Sequence, residues 1–357
     1  MKISIIGIGQ LGLSLALNLD SCGYKVVGYD INSNYINKLK NRKFNSSEPF
    51  IQELLKKHSV IFTDDVKIID DTDLSFVMVN TPSLPNNNFD HSQIDIVLDK
   101  IKHYTGIIVI CSTVMPFYCG TINNPNIVYN PQFVAQGSII NNQRNPDMIL
   151  IGSENDEHVC VLKKIYKTLC EKEPNFRVMD TLSAEITKLA LNCYITTKIS
   201  FANMLGDVCK TVGAKCEDIL SAIGSDSRVG SKNFSYGYGY GGPCFPRDNK
   251  AFTNFARQNG IEPFINIATE ITNDAHLDQQ IKLIEKGIVP DNIEFCNKRL
   301  VVNGVCYKQK TQILDESQQL KLAIRLSKEY QITIREKQKV VKQLIEKYGD
   351  TFEYEEL

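Results

Sequence analysis

The chain has almost no net charge: 40 Lys and Arg stand against 41 Asp and Glu over 357 residues, a formal balance of -1. Without an excess of either sign there is no field to gather nucleic acid or an anionic membrane surface, so any phosphate recognition must be built locally. The chain also lacks a CxxC pair. Its 11 cysteines are an odd number scattered singly, and Met1-Lys2-Ile3-Ser4 runs directly into a strand without a secretory pattern. Reduced thiols in a cytoplasmic setting and no metal centre are the expectation. No apolar run approaches the ~18 residues of a membrane-spanning helix, so no membrane partner is expected. Internal repeats and low-complexity tracts are missing as well.

What is present is the mix of a packed soluble protein, 43% hydrophobic and 23% charged, at a length suited to two or three domains. Residues 2–7 read as a buried strand, 11–22 as a helix and 24–29 as a second strand. Apolar runs recur at 74–79, 106–111 and 126–129 with helical stretches between them. This alternation predicts a doubly wound parallel sheet of the Rossmann type over residues 1–182. From 183 to 210 the pattern is one long helix, followed by a helical segment at 217–223 and a glycine-rich loop at 230–242, which predicts a helical central domain over 183–292. A strand at 299–303, a helix at 316–330, a short strand at 331–334 and a charged helix at 336–348 suggest a small, incomplete α/β unit over 293–357.

Gly7-Ile8-Gly9-Gln10-Leu11-Gly12 lies between the first strand and the first helix. Glycines there permit a tight turn and let backbone N–H groups and the helix N-terminus approach a pyrophosphate. Asp30 closes the second strand, where a carboxylate accepts hydrogen bonds from an adenosine ribose and favours NAD over NADP. A flavin, another dinucleotide or a turn with no ligand are the alternatives at this point. Thr81-Pro82-Ser83 and Ser112-Thr113-Val114 end later strands at the same carboxyl edge, the ligand side of such a sheet.

Cys244 sits in Gly239-Tyr240-Gly241-Gly242-Pro243-Cys244-Phe245-Pro246-Arg247-Asp248. Glycines allow close approach of a ligand, and a cationic neighbour favours the nucleophilic thiolate. The other ten cysteines are expected to be small buried hydrophobes. Lys188 and Asn192 are four apart on the long helix and share a face, so they can hold one oxygen atom between them.

In order along residues 1 to about 317, these motifs resemble the UDP-glucose/GDP-mannose dehydrogenase family, and within it the UDP-glucose dehydrogenase branch. The resemblance rests on the glycine fingerprint with Asp30, on Thr81-Pro82-Ser83, and on Ser112-Thr113-Val114-Met115-Pro116 with its inserted Met115. It continues in Asn130-Pro131-Gln132-Phe133-Val134-Ala135-Gln136-Gly137, in Glu185, Lys188 and Asn192 followed by Asn203, and in Arg228-Val229-Gly230. Residues 239–248 and 304–317 complete it.

The resemblance implies oxidation of the C6 alcohol of a UDP-sugar in two steps with two NAD molecules. Cys244 captures the aldehyde as a thiohemiacetal whose oxyanion Lys188 and Asn192 stabilise; a second oxidation gives a thioester that water hydrolyses. It further implies that Asp248 and Thr113 position the relaying water and that Thr81, Thr113 and Arg247 contact the cofactor. Phe133, Gln136, Asn203, Gly241, Tyr307 and Lys308 line the nucleotide-sugar site, and Arg228 reaches the substrate of a neighbouring subunit. A homodimer built on the 183–210 helix follows.

Three departures stand out. Both glutamates of the family's NPEFLxEG are glutamine here, Gln132 and Gln136, and an amide cannot take up a proton as a carboxylate does. Thioester hydrolysis is therefore expected to be slow, or to run through Asp248 and a water held by Gln132. Asp315 stands where the family has an arginine near the cofactor, beside Thr311-Gln312-Ile313 in place of its aspartates. The stretch after Ser317 is short, which predicts a UDP pocket that is partly open or completed by a partner chain. Alternatives are a single-step dehydrogenase of the 3-hydroxyacid or phosphogluconate type, a non-catalytic nucleotide-sugar-binding relative, and a dehydrogenase acting on a UDP-N-acetylhexosamine or GDP-mannose.

Overall fold

A computed structural model of the chain describes residues 1–296, 299–308 and 311–357, so Gln309 and Lys310 of the 304–317 motif lie outside the described residues. Two compact units divide the chain after Lys188.

The first unit is built on an eight-stranded sheet. The strands are β1 (Lys2–Ile6), β2 (Lys25–Tyr29), β3 (Ile61–Thr63), β4 (Leu74–Val77), β5 (Ile107–Ile110), β6 (Ile127–Tyr129), β7 (Ile149–Gly152) and β8 (Phe176–Met179). Their order is β3-β2-β1-β4-β5-β6-β7-β8. Helices α1 (Gln10–Ser21), α2 (Ser33–Lys40), α3 (Ile51–Lys57), α4 (Ser92–Lys100), α5 (Ile139–Arg144) and α6 (Asp156–Leu169) connect them. The Ile- and Val-rich strands are covered on both faces, which is why they read as continuous apolar runs. One buried cluster joins Ile3, Ile5 and Phe76 to Leu13 and Leu17 of α1 and Leu162 of α6. The other joins Ile6, Val77 and Ile108 to Ile94 and Val97 of α4.

The predicted parallel sheet is present, with the strands from β3 to β6 all paired in parallel, and it carries one antiparallel joint beyond them. β7 pairs antiparallel to β6 through Tyr129 and Gly152, while β8 runs parallel to β7. A parallel return needs a crossover whose helix packs back on the sheet. The 130–148 connection carries only the six-residue α5, and β7 enters from the opposite end.

Helix α7 (Thr181–Val212) extends the predicted 183–210 helix at both ends and runs through the unit boundary. In the second unit it is followed by α8 (Cys216–Ser225), α9 (Phe245–Gln258) and α10 (Phe264–Glu285). A four-stranded sheet then forms from β9 (Ile293–Cys296), β10 (Arg299–Asn303), β11 (Gln331–Glu336) and β12 (Glu353–Glu356), in the order β12-β11-β10-β9, with α11 (Gln318–Leu326) and α12 (Gln338–Tyr348). Leu300, Val302, Ile332 and Ile334 of the sheet bury against Leu322 of α11 and Leu344 of α12.

Several details differ from the sequence reading. The 316–330 helix starts only at Gln318, because Glu316 is left-handed (φ 49°) and Ser317 caps the helix, its Oγ accepting from Leu320 N at 3.2 Å. Strand β9 pairs antiparallel to β10 and was not anticipated. Nor was β12, whose sequence Glu-Tyr-Glu-Glu reads as a charged tail. Arginines on β11 and β10 hold it: Arg335 Nε donates to Glu355 at 2.8 Å, and Arg299 Nη2 stands 2.9 Å from Glu353. Among the described residues no helix is long and apolar enough to cross a membrane.

Candidate active site

In the first unit the glycine turn after β1 is a cradle in which side chains are excluded. Gly7 has φ +86°, and a Cβ there would come within 2.8 Å of Met78 O; a Cβ on Gly12 would meet Gly7 O at 2.1 Å. Gly9 has nothing within 4 Å of the same position and forms the N-cap of α1, whose first turn carries no side-chain cap and no acidic residue. The open N–H groups and the helix dipole suit a pyrophosphate. Asp30 follows β2, its Oδ1 accepting from Asn32 N at 3.0 Å. The loops after β4 and β5 are tied together, since Thr81 Oγ1 donates to Thr113 O and Ser112 Oγ to Val79 O, both at 2.7 Å. These residues fit a bound dinucleotide.

Glu48 had no place in the sequence reading. Its carboxylate is 3% exposed and accepts from Gly137 N at 2.8 Å, Ile139 N at 2.7 Å and Gln10 Nε2 at 3.1 Å. It thereby links the first residue of α1 to the turn that follows Gln136. The only local signal was a Glu-Pro pair in a polar loop.

Lys188, buried near the end of the first unit, donates from Nζ to Gln132 O at 2.8 Å and lies 4.5 Å from the Phe133 ring centroid. Gln132 turns its amide inward, with Nε2 donating to Tyr166 OH at 3.1 Å.

In the second unit Cys244 is exposed and forms the N-cap of α9, with Pro246 in the first turn. A helix N-terminus favours a thiolate. The sequence had offered only Arg247 as the nearby positive charge, and Arg247 instead sets Nε 3.4 Å from Asp248 Oδ1. Asp248 is 1% exposed, and its Oδ2 accepts from Asn192 Nδ2 at 2.6 Å. The Tyr307 ring closes over Gly242, where a Cβ would come within 2.6 Å of the ring. The Tyr307 hydroxyl is raised above its ordinary value by burial and, next, by the Cys244 thiol.

The glycine loop before Cys244 is fixed by side chains rather than by a sheet. Asn203 accepts from Gly237 N at 3.0 Å and donates to Tyr238 O at 3.2 Å. Asn273 does the same for Tyr240 N and O, at 2.9 and 3.2 Å. His276 bridges Asp207, at 2.7 Å, and Gly237 O, at 2.8 Å. Asn203, expected to touch substrate, has both ends of its amide on loop backbone. Asn273 and His276 were missed because a polar residue inside a helix carries no sequence mark of its partner.

Between this loop and the second sheet lies a cavity of about 1030 Å³, lined among others by Tyr236, Tyr238, Gln280, Lys308 and Lys337. Arg228 is exposed and grips Asp226 through Nε at 3.0 Å and Nη2 at 2.7 Å. The expectation that ten cysteines are buried is corrected at Cys160, which is exposed on α6, and at Cys22 and Cys170, which are half-buried. Among the described residues no group of three or more His, Cys, Asp or Glu is arranged to hold a metal ion.

Residues 1–170 match the NAD binding domain of the UDP-glucose/GDP-mannose dehydrogenase family, and residues 182–275 match its central domain. The chain belongs to this family. As a member of the UDP-glucose/GDP-mannose dehydrogenase family it is an NAD-binding oxidoreductase. It is 29% identical over 347 residues to a UDP-glucose 6-dehydrogenase of Haloferax volcanii, covering 90% of this chain and 80% of that one. The solved UDP-glucose dehydrogenase of Pyrobaculum islandicum superposes with a TM-score of 0.87 at 26% identity, over 100% of this chain and 86% of the other. A GDP-mannose dehydrogenase of Pseudomonas aeruginosa follows at TM-score 0.61 and 25% identity, over 99% and 88%. Family membership thus leaves the sugar to be argued from the site.

Proposed function

We propose that this protein oxidises the C6 alcohol of UDP-glucose to the carboxylate of UDP-glucuronate. The observation that carries the reading is the arrangement around Cys244: an exposed thiol at the N-terminus of α9, with the buried Asp248 one turn on and bonded to Asn192. Lys188 stands one turn before Asn192 on α7.

Gly7, Gly9, Gly12 and Asp30 would hold NAD, which would supply the two-electron oxidant for each of the two oxidations. The first oxidation leaves a C6 aldehyde, the hydroxyl proton passing to the water positioned by Asp248 and Thr113. The Cys244 sulfur adds to its carbonyl carbon, forming a C–S bond, while Lys188 and Asn192 donate to the oxygen that becomes an oxyanion. The second oxidation converts this thiohemiacetal to a thioester. Water then breaks the C–S bond, releasing the carboxylate and returning the thiol. Asp248 takes the water's proton, because position 132 carries an amide turned towards Tyr166 and a base contributes about 10²–10⁴-fold to such a step.

Residues 1–182 bind NAD in this reading, 183–292 carry the thiol loop, and 293–357 hold the nucleotide. The cavity lined by Lys308, Tyr236 and Tyr238 offers ammonium and aromatic groups to a UDP moiety. The protein works as a cytoplasmic homodimer, and the support for the dimer is an apolar stripe on α7. Tyr194, Phe201, Met204, Val208 and Val212 are 61, 49, 43, 52 and 70% exposed, spaced as one helix face. Arg228, beside the 230–242 loop, then serves the neighbouring subunit's substrate.

The test is turnover by purified protein with NAD and a panel of UDP-glucose, UDP-N-acetylmannosamine and GDP-mannose. The highest kcat/KM is expected with UDP-glucose; a higher value with another sugar would reassign the substrate.

A further inference from the structure

The directions of the hydrogen bonds around Gln132 follow from one carbonyl. Leu150 O can only accept, so the amide nitrogen of Asn130 faces it at 2.7 Å and Asn130 Oδ1 is presented as an acceptor. Tyr166 is 4% exposed, and burial raises its hydroxyl well above the ordinary value, keeping it protonated. It donates to Asn130 Oδ1. The tyrosine oxygen then has only acceptor capacity left, and Gln132 Nε2 fills it at 3.1 Å. Asn130 O and Oδ1 stand 3.4 and 3.5 Å from the same nitrogen, and Cys111 Sγ stands 3.9 Å away. Every oxygen around Nε2 is thus an acceptor, and the Cys111 thiol is at most a weak donor 3.9 Å away. A carboxylate here would face the lone pairs of these oxygens and would be driven to bind a proton or leave the site.

The same residue carries the backbone oxygen that receives Lys188 Nζ at 2.8 Å, and the next residue carries the ring beneath that ammonium. We propose that Tyr166 is a positioning residue: acting through the Gln132 amide, it fixes the 132–133 backbone and so seats the Lys188 ammonium. Position 132 of this chain is a strut and no longer a base. The proposal rests on the reading that Lys188 holds the substrate oxygen.

The test compares wild type, Tyr166→Phe and Gln132→Glu in two readouts: steady-state kinetics with NAD and UDP-glucose against pH, and mass-spectrometric rates of reductive methylation at Lys188 in the folded protein. Tyr166→Phe should lose about 10²-fold in kcat, the scale of a misplacement near 1 Å, with KM for NAD changed less than about twofold. Gln132→Glu should lose activity above neutral pH and recover part of it on acidification, when its protonated carboxyl again donates to Tyr166. Both variants should label faster at Lys188. Gln132→Glu equal to or better than wild type at every pH, or Tyr166→Phe within about twofold of wild-type kcat, would overturn the proposal. If Tyr166→Phe does not fold, the pH profile of Gln132→Glu decides. If no form turns over UDP-glucose, labelling decides alone: faster labelling upholds the strut while the substrate reading fails, and unchanged labelling overturns it.

Discussion

Asn192 on α7 donates its amide to the buried carboxylate of Asp248 on α9, 2.6 Å from Nδ2 to Oδ2. This bond ties the helix bearing Lys188 and Asn192 to the helix that follows Cys244. Replacing Asn192 by Ala leaves Asp248 buried without that donor, which costs about 1–3 kcal/mol of stability. Asp248→Asn keeps the volume and removes the base proposed for thioester hydrolysis. Its kcat should fall about 10²–10⁴-fold with a nearly unchanged melting temperature. Calorimetry and initial rates on the two variants check the division; an Asp248→Asn enzyme at wild-type kcat would remove Asp248 from the chemistry.

The position of Cys244 makes its reactivity measurable without substrate. It is exposed at the N-cap of a 14-residue helix, whereas the exposed Cys160 lies within α6. Alkylation by iodoacetamide at neutral pH, followed by peptide mass spectrometry, should be about tenfold or more faster at Cys244. Equal rates would deny the helix N-terminus any part in activating the thiol.

Glu185 gives a pH dependence with a definite sign. Its carboxyl is fully buried and accepts from Phe117 N and Cys119 N, both at 2.7 Å. Burial is the largest influence and outweighs these bonds, so its pKa is raised from the ordinary 4.5. A carboxyl with a raised folded-state pKa binds its proton more tightly folded than unfolded. Its contribution is therefore full below 4.5 and declines as pH rises through the folded value. Urea unfolding of wild type and Glu185→Gln from pH 4 upward should show the wild-type advantage shrinking with pH; an advantage that grows would contradict this.

The apolar stripe on α7 predicts the oligomer. Val208→Glu with Val212→Glu alters two residues that are 52 and 70% exposed, so folding should change by less than about 0.5 kcal/mol per site. Light scattering after gel filtration should show a dimer for wild type and a monomer for the double variant. A variant still dimeric at low micromolar concentration would move the interface elsewhere.

The glycine cradle, the long helix and the Cys244 loop were legible in the sequence because each has a local cause: backbone space, apolar periodicity or a dense cluster of motif residues. The antiparallel β7 was not, because strand direction depends on how the 130–148 connection packs. The Glu-rich β12 was hidden for a related reason, since Arg299 and Arg335 on other strands supply the charges that hold it. At the site, the change at Gln132 was visible, but its meaning was not. The residues that require a donor there, Asn130 and Tyr166, include one 34 positions away. Likewise, the clamping of the glycine loop by Asn203 and Asn273 is a long-range fact with no local signature.

The most direct test of the account is the amount of NADH formed per UDP-glucose consumed at completion, with the product sugar identified by mass spectrometry. The chemistry proposed at Cys244 predicts about two NADH per sugar, with UDP-glucuronate as product and no free aldehyde, since the thiol holds the intermediate between the oxidations. One NADH per sugar with release of the aldehyde, or binding of UDP-glucose with no NADH at all, would contradict it.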